Sequence, residues 1–290
     1  MKLFRFFYIS FFLFISTHAF SNSKALFSHP DLCKLLQATD LPCEKDPKKI
    51  VEITQKHWLR EYGKERWEIQ EKSPNKRTEI LKLVRKLGFV EAVQVQKKQY
   101  DYALILGALA PTMKKRLGFL VQQWKKGVRF KKIFFLVGER PRDPVMESSQ
   151  ILLERNKYIK FPKHLKLKTL PQTETDLAKM IYFNAILPKQ FSEIPFEFVN
   201  TPRKIQNAKL IRPTTADTVE FLFEKQWIPK KASLLSISNQ PYIPYQDAIL
   251  RGALLQKGDF DLETVGFESD ADTKISVYLD SLARTLYSEL

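Results

Sequence analysis

A set of residues with types suited to chemistry stands where short apolar runs give out. Gly107, Thr112 and Arg116 follow the run Ala103 to Leu106, and Glu139 and Arg140 follow Ile133 to Val137. Glu174 opens a later helical stretch, and Arg212, Thr214, Thr215 and Asp217 precede another. Asn239, Gln240, Tyr242 and Tyr245 follow the run Ala232 to Ile237. Guanidinium groups neutralise and orient anions, so Arg116 and Arg140 are expected to hold one, aided by backbone N–H groups at the helix start after Gly107. A carboxylate among arginines stays ionised, which suits a base more than an acid, and Glu174 and Asp217 are the acid/base candidates. Thr215, Asn239 and Gln240 would orient the ligand. Each residue also has a structural explanation: Thr214 or Thr215 as a helix cap, Asp217 as a dipole partner, Glu139 and Arg140 as a surface ion pair.

Other chemistries are absent. The nine glycines form neither a phosphate-binding loop nor a dinucleotide fingerprint. There is no Gly-x-Ser-x-Gly nucleophile elbow. Beyond the first residues the histidines are His29, His57 and His164, dispersed and without metal-ligand spacing, so neither a metal nor a cofactor is expected.

What must position these residues is a parallel sheet. The apolar runs at 103–106 and 133–137 flank a helical pattern of Leu117, Leu120, Val121, Trp124 and Val128, with Lys114, Lys115 and Arg116 elsewhere on the wheel. That is a strand, crossover helix and parallel strand. Further strands are expected at Phe196 to Val199, Ala232 to Ile237 and Phe260 to Phe267. Helices are expected at 147–156, from 173, after Thr215, at 245–256 and at 274–290. The fold class is therefore α/β, a Rossmann-like three-layer sandwich with a mainly parallel sheet. In such sheets the loops at the carboxyl ends of the strands share one rim, where ligands bind.

The chain divides into three parts. Residues 1–21 carry Lys2 and Arg5, then about ten apolar residues from Phe6 and the small residues Thr17 to Ala19, the pattern of a secretory signal peptide. An uncleaved anchor is the alternative. Residues 22–97 form a mostly helical region, with Ile80, Leu83, Val84 and Leu87 on one stripe and Gly88 as its stop. Residues 98–290 form the α/β domain. In an exported chain Cys33 and Cys43 read as a disulfide closing a short loop; two buried thiols are the alternative.

The net charge of +16 falls to +14 when Lys2 and Arg5 are taken from the 48 basic residues set against 32 acidic ones. Export disfavours nucleic acid as the partner. It points instead to an anionic small molecule, a glycan precursor or a lipid headgroup, with peripheral membrane contact through a basic face that includes Lys125, Lys126 and Lys132.

Ala103 to Gly107, Arg116, Phe135 to Gly138, Glu174, Arg212-Pro-Thr-Thr-Ala-Asp-Thr218 and Ser238 to Tyr245 together resemble, over about residues 98–290, the SanA, ElyC and YdcF family of envelope proteins. The chain departs from the family where Asp217 replaces a glutamate, Thr218 an asparagine, and Tyr242 and Tyr245 a histidine and an arginine. The resemblance implies a Rossmann-like fold and a role in envelope integrity, with ligand binding implied more firmly than catalysis. The function expected is an exported envelope protein that binds, and in one version processes, an anionic or phosphorylated metabolite at the sheet's carboxyl edge. A non-catalytic membrane-surface protein and a methyl-donor or nucleotide binder are the rival readings.

Overall fold

In a computed structural model, residues 26–72, 74–206 and 208–290 are described. The expected signal segment lies outside them. Five strands form one wholly parallel sheet: β1 (Gln99–Leu106), β2 (Arg129–Leu136), β3 (Phe196–Phe198), β6 (Lys231–Asn239) and β7 (Asp259–Phe267), in the order β3-β2-β1-β6-β7. The chain steps outward from β1 through β2 to β3, returns beside β1 as β6, and ends at β7. Strand order thus reverses between β1 and β6, the place where a doubly wound sheet opens a crevice.

Alternation along the strands builds two cores. Ala103, Ile105, Ile133, Phe135, Leu235 and Ile237 face α4 (Ala110–Lys125) and α6 (Glu174–Asn184). Leu104, Leu106, Phe134, Leu136 and Leu234 face α8 (Thr215–Glu224) and α9 (Ile243–Leu254). Burial on both faces explains why these strands read as unbroken apolar runs.

The N-terminal region is helical, as its periodicity predicts: α1 (Pro30–Ala38), α2 (Pro47–Trp58) and α3 (Arg77–Lys86). Prolines open α1 and α2 at positions that need no N–H, and Asp46 accepts from Lys48 N at 3.0 Å. Cys33 and Cys43 are joined, tying α1 to the segment before α2. A disulfide of this kind fits a non-reducing compartment. Among the described residues no helix is long and apolar enough to cross a membrane.

The third core joins the chain's ends. Leu32, Leu35, Ile50, Trp58, Ile80 and Val84 pack with Ile275, Tyr278, Leu279 and Leu282 of α10 (Ile275–Glu289).

Two elements differ from expectation. The helix expected over 147–156 is only Ser149–Leu153, designated α5. Lys114 ends it: buried at 2% exposure, its Nζ donates to the carbonyls of Ile151, Leu152 and Glu154 at 2.8–3.2 Å. The second is an antiparallel hairpin, β4 (Lys204–Gln206) and β5 (Lys209–Ile211), after a short helix α7 (Lys189–Ser192) and β3. Its three-residue strands carry too few apolar positions to register as a pattern.

Candidate functional site

Beside the β1/β6 reversal lies a cleft of about 570 Å³. The turn Gly107 to Leu109 after β1 forms part of its floor, with Thr112 and Arg116 of α4. Arg140 and Glu174 line the β2 side, and Arg212 to Thr215 at the start of α8 line another. Tyr242, Tyr245 and Gln246 come from the β6–α9 junction. A wall from outside the sheet loops completes it: Arg60, Glu65, Arg66 and Trp67 from the N-terminal region, with Lys274 and Arg284 from the ends of α10.

Seven cationic side chains therefore line the cleft, against the carboxylates Glu65 and Glu174. Behind Arg140, Glu147 is fully buried and accepts from both Nη atoms at 3.0–3.1 Å, while Arg140 Nε approaches Glu174 at 3.4 Å. Glu174 also accepts from Gly138 N at 3.1 Å. Burial pushes the Glu174 carboxyl above the usual carboxylate range, against the opposing pull of Arg140 and the Gly138 N–H. The expectation of an ionised base rested on the neighbouring arginines, and burial opposes them. A raised carboxyl can hold or release a proton nearer neutral pH.

Arg116 does something other than grip a ligand. It is 1% exposed, and its N–H groups are spent on neutral acceptors. Nε and Nη2 donate to Asn239 Oδ1 at 3.1 and 2.7 Å, and Nη1 to the carbonyls of Leu106 and Gly107 at 2.7 and 2.9 Å. Burial lowers its pKa below the ordinary arginine value, yet the guanidinium stays cationic at neutral pH. It pins the ends of β1 and β6 together and supplies a fixed positive field beneath the cleft. The backbone donors expected at the start of α4 are also depleted: Ala110 N donates to Glu147 at 2.8 Å, and Pro111 has none.

The surplus charge lies on the outer wall. Arg60 and Arg284 share one carboxylate, Asp280, at 3.2 and 3.0 Å. Burial, which would raise Asp280, is outweighed by Arg284 and Arg60, so its carboxyl lies below the usual range. The Arg66 guanidinium sits 4.2 Å above the Tyr242 ring and has no ion-pair partner among the described residues. Its Nε is buried without a hydrogen-bond acceptor among them. Arg212 is paired with Glu65 at 2.9 Å.

Of the residues expected from the sequence, Gly107, Thr112, Arg116, Arg140, Glu174, Arg212, Thr214, Thr215, Tyr242 and Tyr245 meet in this cleft. Glu139, Asp217, Asn239 and Gln240 do not line it. Glu139 accepts from Arg203 N at 3.4 Å. Thr214 caps α8, and Asp217 completes the capping box and pairs with Lys204 at 2.5 Å. Asn239 serves Arg116, and Gln240 donates to Gly88 O and Glu91 O at 2.8 and 3.0 Å, tying β6 to the N-terminal region. The sequence reading missed Arg60, Arg66, Trp67, Lys274 and Arg284. The i, i+4 pair Asp280 and Arg284 was the available signal for one of them; Arg60 and Arg66 lie far from any strand end. Among the described residues no cluster of potential metal ligands occurs.

Comparisons with protein-family models, with curated proteins and with solved structures gave no match to this chain.

Proposed function

We infer that this chain is an exported envelope protein whose cleft binds a phosphate-bearing anion, such as a lipid carrier or glycan precursor. One observation carries the reading: seven cationic side chains line a cleft with two carboxylates at the strand-order reversal. Cations crowded this way repel one another, and an anion entering the cleft relieves that repulsion. Arg66, with Tyr242 beneath it, and the Arg60 and Arg284 pair are the contact groups. Arg116 and Arg140 supply field from below, and the hydroxyls of Thr112 and Thr215 add neutral donors.

Binding is the primary role. Asp217 is committed to its cap and to Lys204, so proton transfer rests on Glu174 alone. The non-reducing compartment agrees with an envelope location, and the family resemblance points the same way.

The test is a thermal melt of the protein with pyrophosphate, glycerol phosphate and a nucleotide, since a ligand of the folded state stabilises it by mass action. Pyrophosphate and glycerol phosphate should raise the midpoint, and Arg66→Ala should weaken the effect tenfold or more. No shift with either at millimolar concentration overturns the reading. A shift with the nucleotide only replaces it with the nucleotide-binding alternative.

A further inference from the structure

The β4–β5 hairpin projects from the protein next to the cleft, and its composition suits a different surface. Ile205 and Leu210 are direct cross-strand partners, so their side chains share one face of the two-stranded ribbon. They are 78% and 59% exposed, although nothing in the local pattern requires apolar residues there. Neighbouring positions carry Arg203, Lys204, Lys209 and Arg212. Lys204 and Arg212 are anchored by Asp217 and Glu65, whereas Arg203 and Lys209 have no ion-pair partner among the described residues. Alternation turns Lys204 and Lys209 to the ribbon's other face, so the apolar pair has cations behind it and at its ends. That matches the boundary between acyl chains and anionic headgroups, where the cations meet phosphate and the pair enters the apolar layer.

We propose that this hairpin docks the protein on an anionic lipid bilayer, with Ile205 and Leu210 inserted at the headgroup boundary, Arg203 on lipid phosphates, and the long Lys209 side chain reaching them from the ribbon's other face. A lipid surface fits better than a protein groove for two reasons. The apolar area is only two side chains, small for a stable protein interface, and the two flanking side chains without ion-pair partners among the described residues, Arg203 and Lys209, are both cations. The hairpin is also joined to the cleft: Lys204 pairs with Asp217 in the first turn of α8, and the chain leaving β5 runs straight into the cleft lining at Arg212 to Thr214. Docking would hold that edge of the cleft at the membrane surface. The inference does not depend on what the cleft binds.

The experiment uses the full chain and vesicles of phosphatidylglycerol or phosphatidylcholine. Sedimentation should show at least tenfold tighter binding to phosphatidylglycerol, weakened by salt, and Ile205→Glu with Leu210→Glu should lose it tenfold or more. Both positions are exposed, so the variant keeps its fold. A leader segment could hold the chain on vesicles by itself, so insertion is read separately. Ile205→Trp should gain a fluorescence component, absent from wild type, that is quenched by vesicles with brominated acyl chains. If that added component stays unquenched on bound vesicles, or if the double-glutamate variant binds as wild type does, the proposal is overturned. So does a concentration-dependent dimer lost in the double-glutamate variant overturn it, by assigning the hairpin to a second copy. Pyrophosphate stabilisation of the same variant reports on the cleft independently.

Discussion

Glu174 lies against the backbone of Gly107 so closely that a Cβ at that position would stand 2.8 Å from its Cδ and from both carboxylate oxygens. Glycine at the end of β1 thus makes room for the carboxylate that Arg140 and the Gly138 N–H hold. The Gly107→Ala variant should push Glu174 aside and loosen Arg140, at a cost of about 1–3 kcal/mol as for other overpacked sites. Denaturant melts read the stability loss. A stability within error of wild type would show that Glu174 has another place to go.

Arg116 should behave as a structural cation. Removing it strands Asn239 Oδ1 and the carbonyls of Leu106 and Gly107 in a buried place, each unpaired group costing about 1–3 kcal/mol. Arg116→Ala should therefore lose several kcal/mol of stability. Arg116→Lys should recover little, because an ammonium cannot reproduce the fork. A well-folded Arg116→Ala protein with only weakened anion binding would return this residue to the ligand.

Arg66 should show the opposite behaviour. With no ion-pair partner among the described residues, Arg66→Ala should leave the melting midpoint nearly unchanged while weakening pyrophosphate binding tenfold or more. Calorimetric titration of variant and wild type at equal ionic strength separates the two effects.

The carboxyl of Glu289, at the end of α10, is pushed up to about 7 by burial and by Asp247. One of its oxygens and one of Asp247's have no hydrogen-bond partner among the described residues. A folded-state pKa above the unfolded one means the folded protein binds the extra proton. This contribution is complete below about pH 4.5 and is lost as pH rises to 7 and beyond. Glu289→Gln should gain stability relative to wild type at pH 8 and not at pH 4.5. An equal difference at both values would dismiss the effect.

Reducing the Cys33–Cys43 bond, or replacing both residues by serine, should cost about 2–3 kcal/mol for a loop of this length in the chain-entropy account. Urea melts with and without reductant measure it.

The sheet was readable in the sequence because its strands are buried on both faces, so Ala103 to Leu106 or Ala232 to Ile237 stand out as continuous apolar runs. Helix caps at Thr173 and Thr214 were readable for a similarly local reason. The cleft was half readable. Residues at strand ends converge by topology, which brought Arg140, Glu174 and Tyr242 together. Arg60, Arg66 and Arg284 arrive instead through packing of the N-terminal helices on α10, a long-range event without a local signature. Lys114 and Arg116 were placed off the apolar stripe of their helix, yet both are buried. Neutral carbonyl and amide oxygens solvate Arg116, and periodicity cannot register such partners. Asp217 shows the converse: a carboxylate at the right point in the chain, already used by the cap it completes.

The shared core of α1–α3 and α10 has a consequence for biogenesis. Besides one another, helices α1–α3 find apolar partners in α10, which is made only after the whole sheet. Until α10 has been made, the stapled N-terminal segment therefore keeps part of its greasy side uncovered. A nascent chain stalled short of α10 should be a client for holdase chaperones and an easy target for proteases.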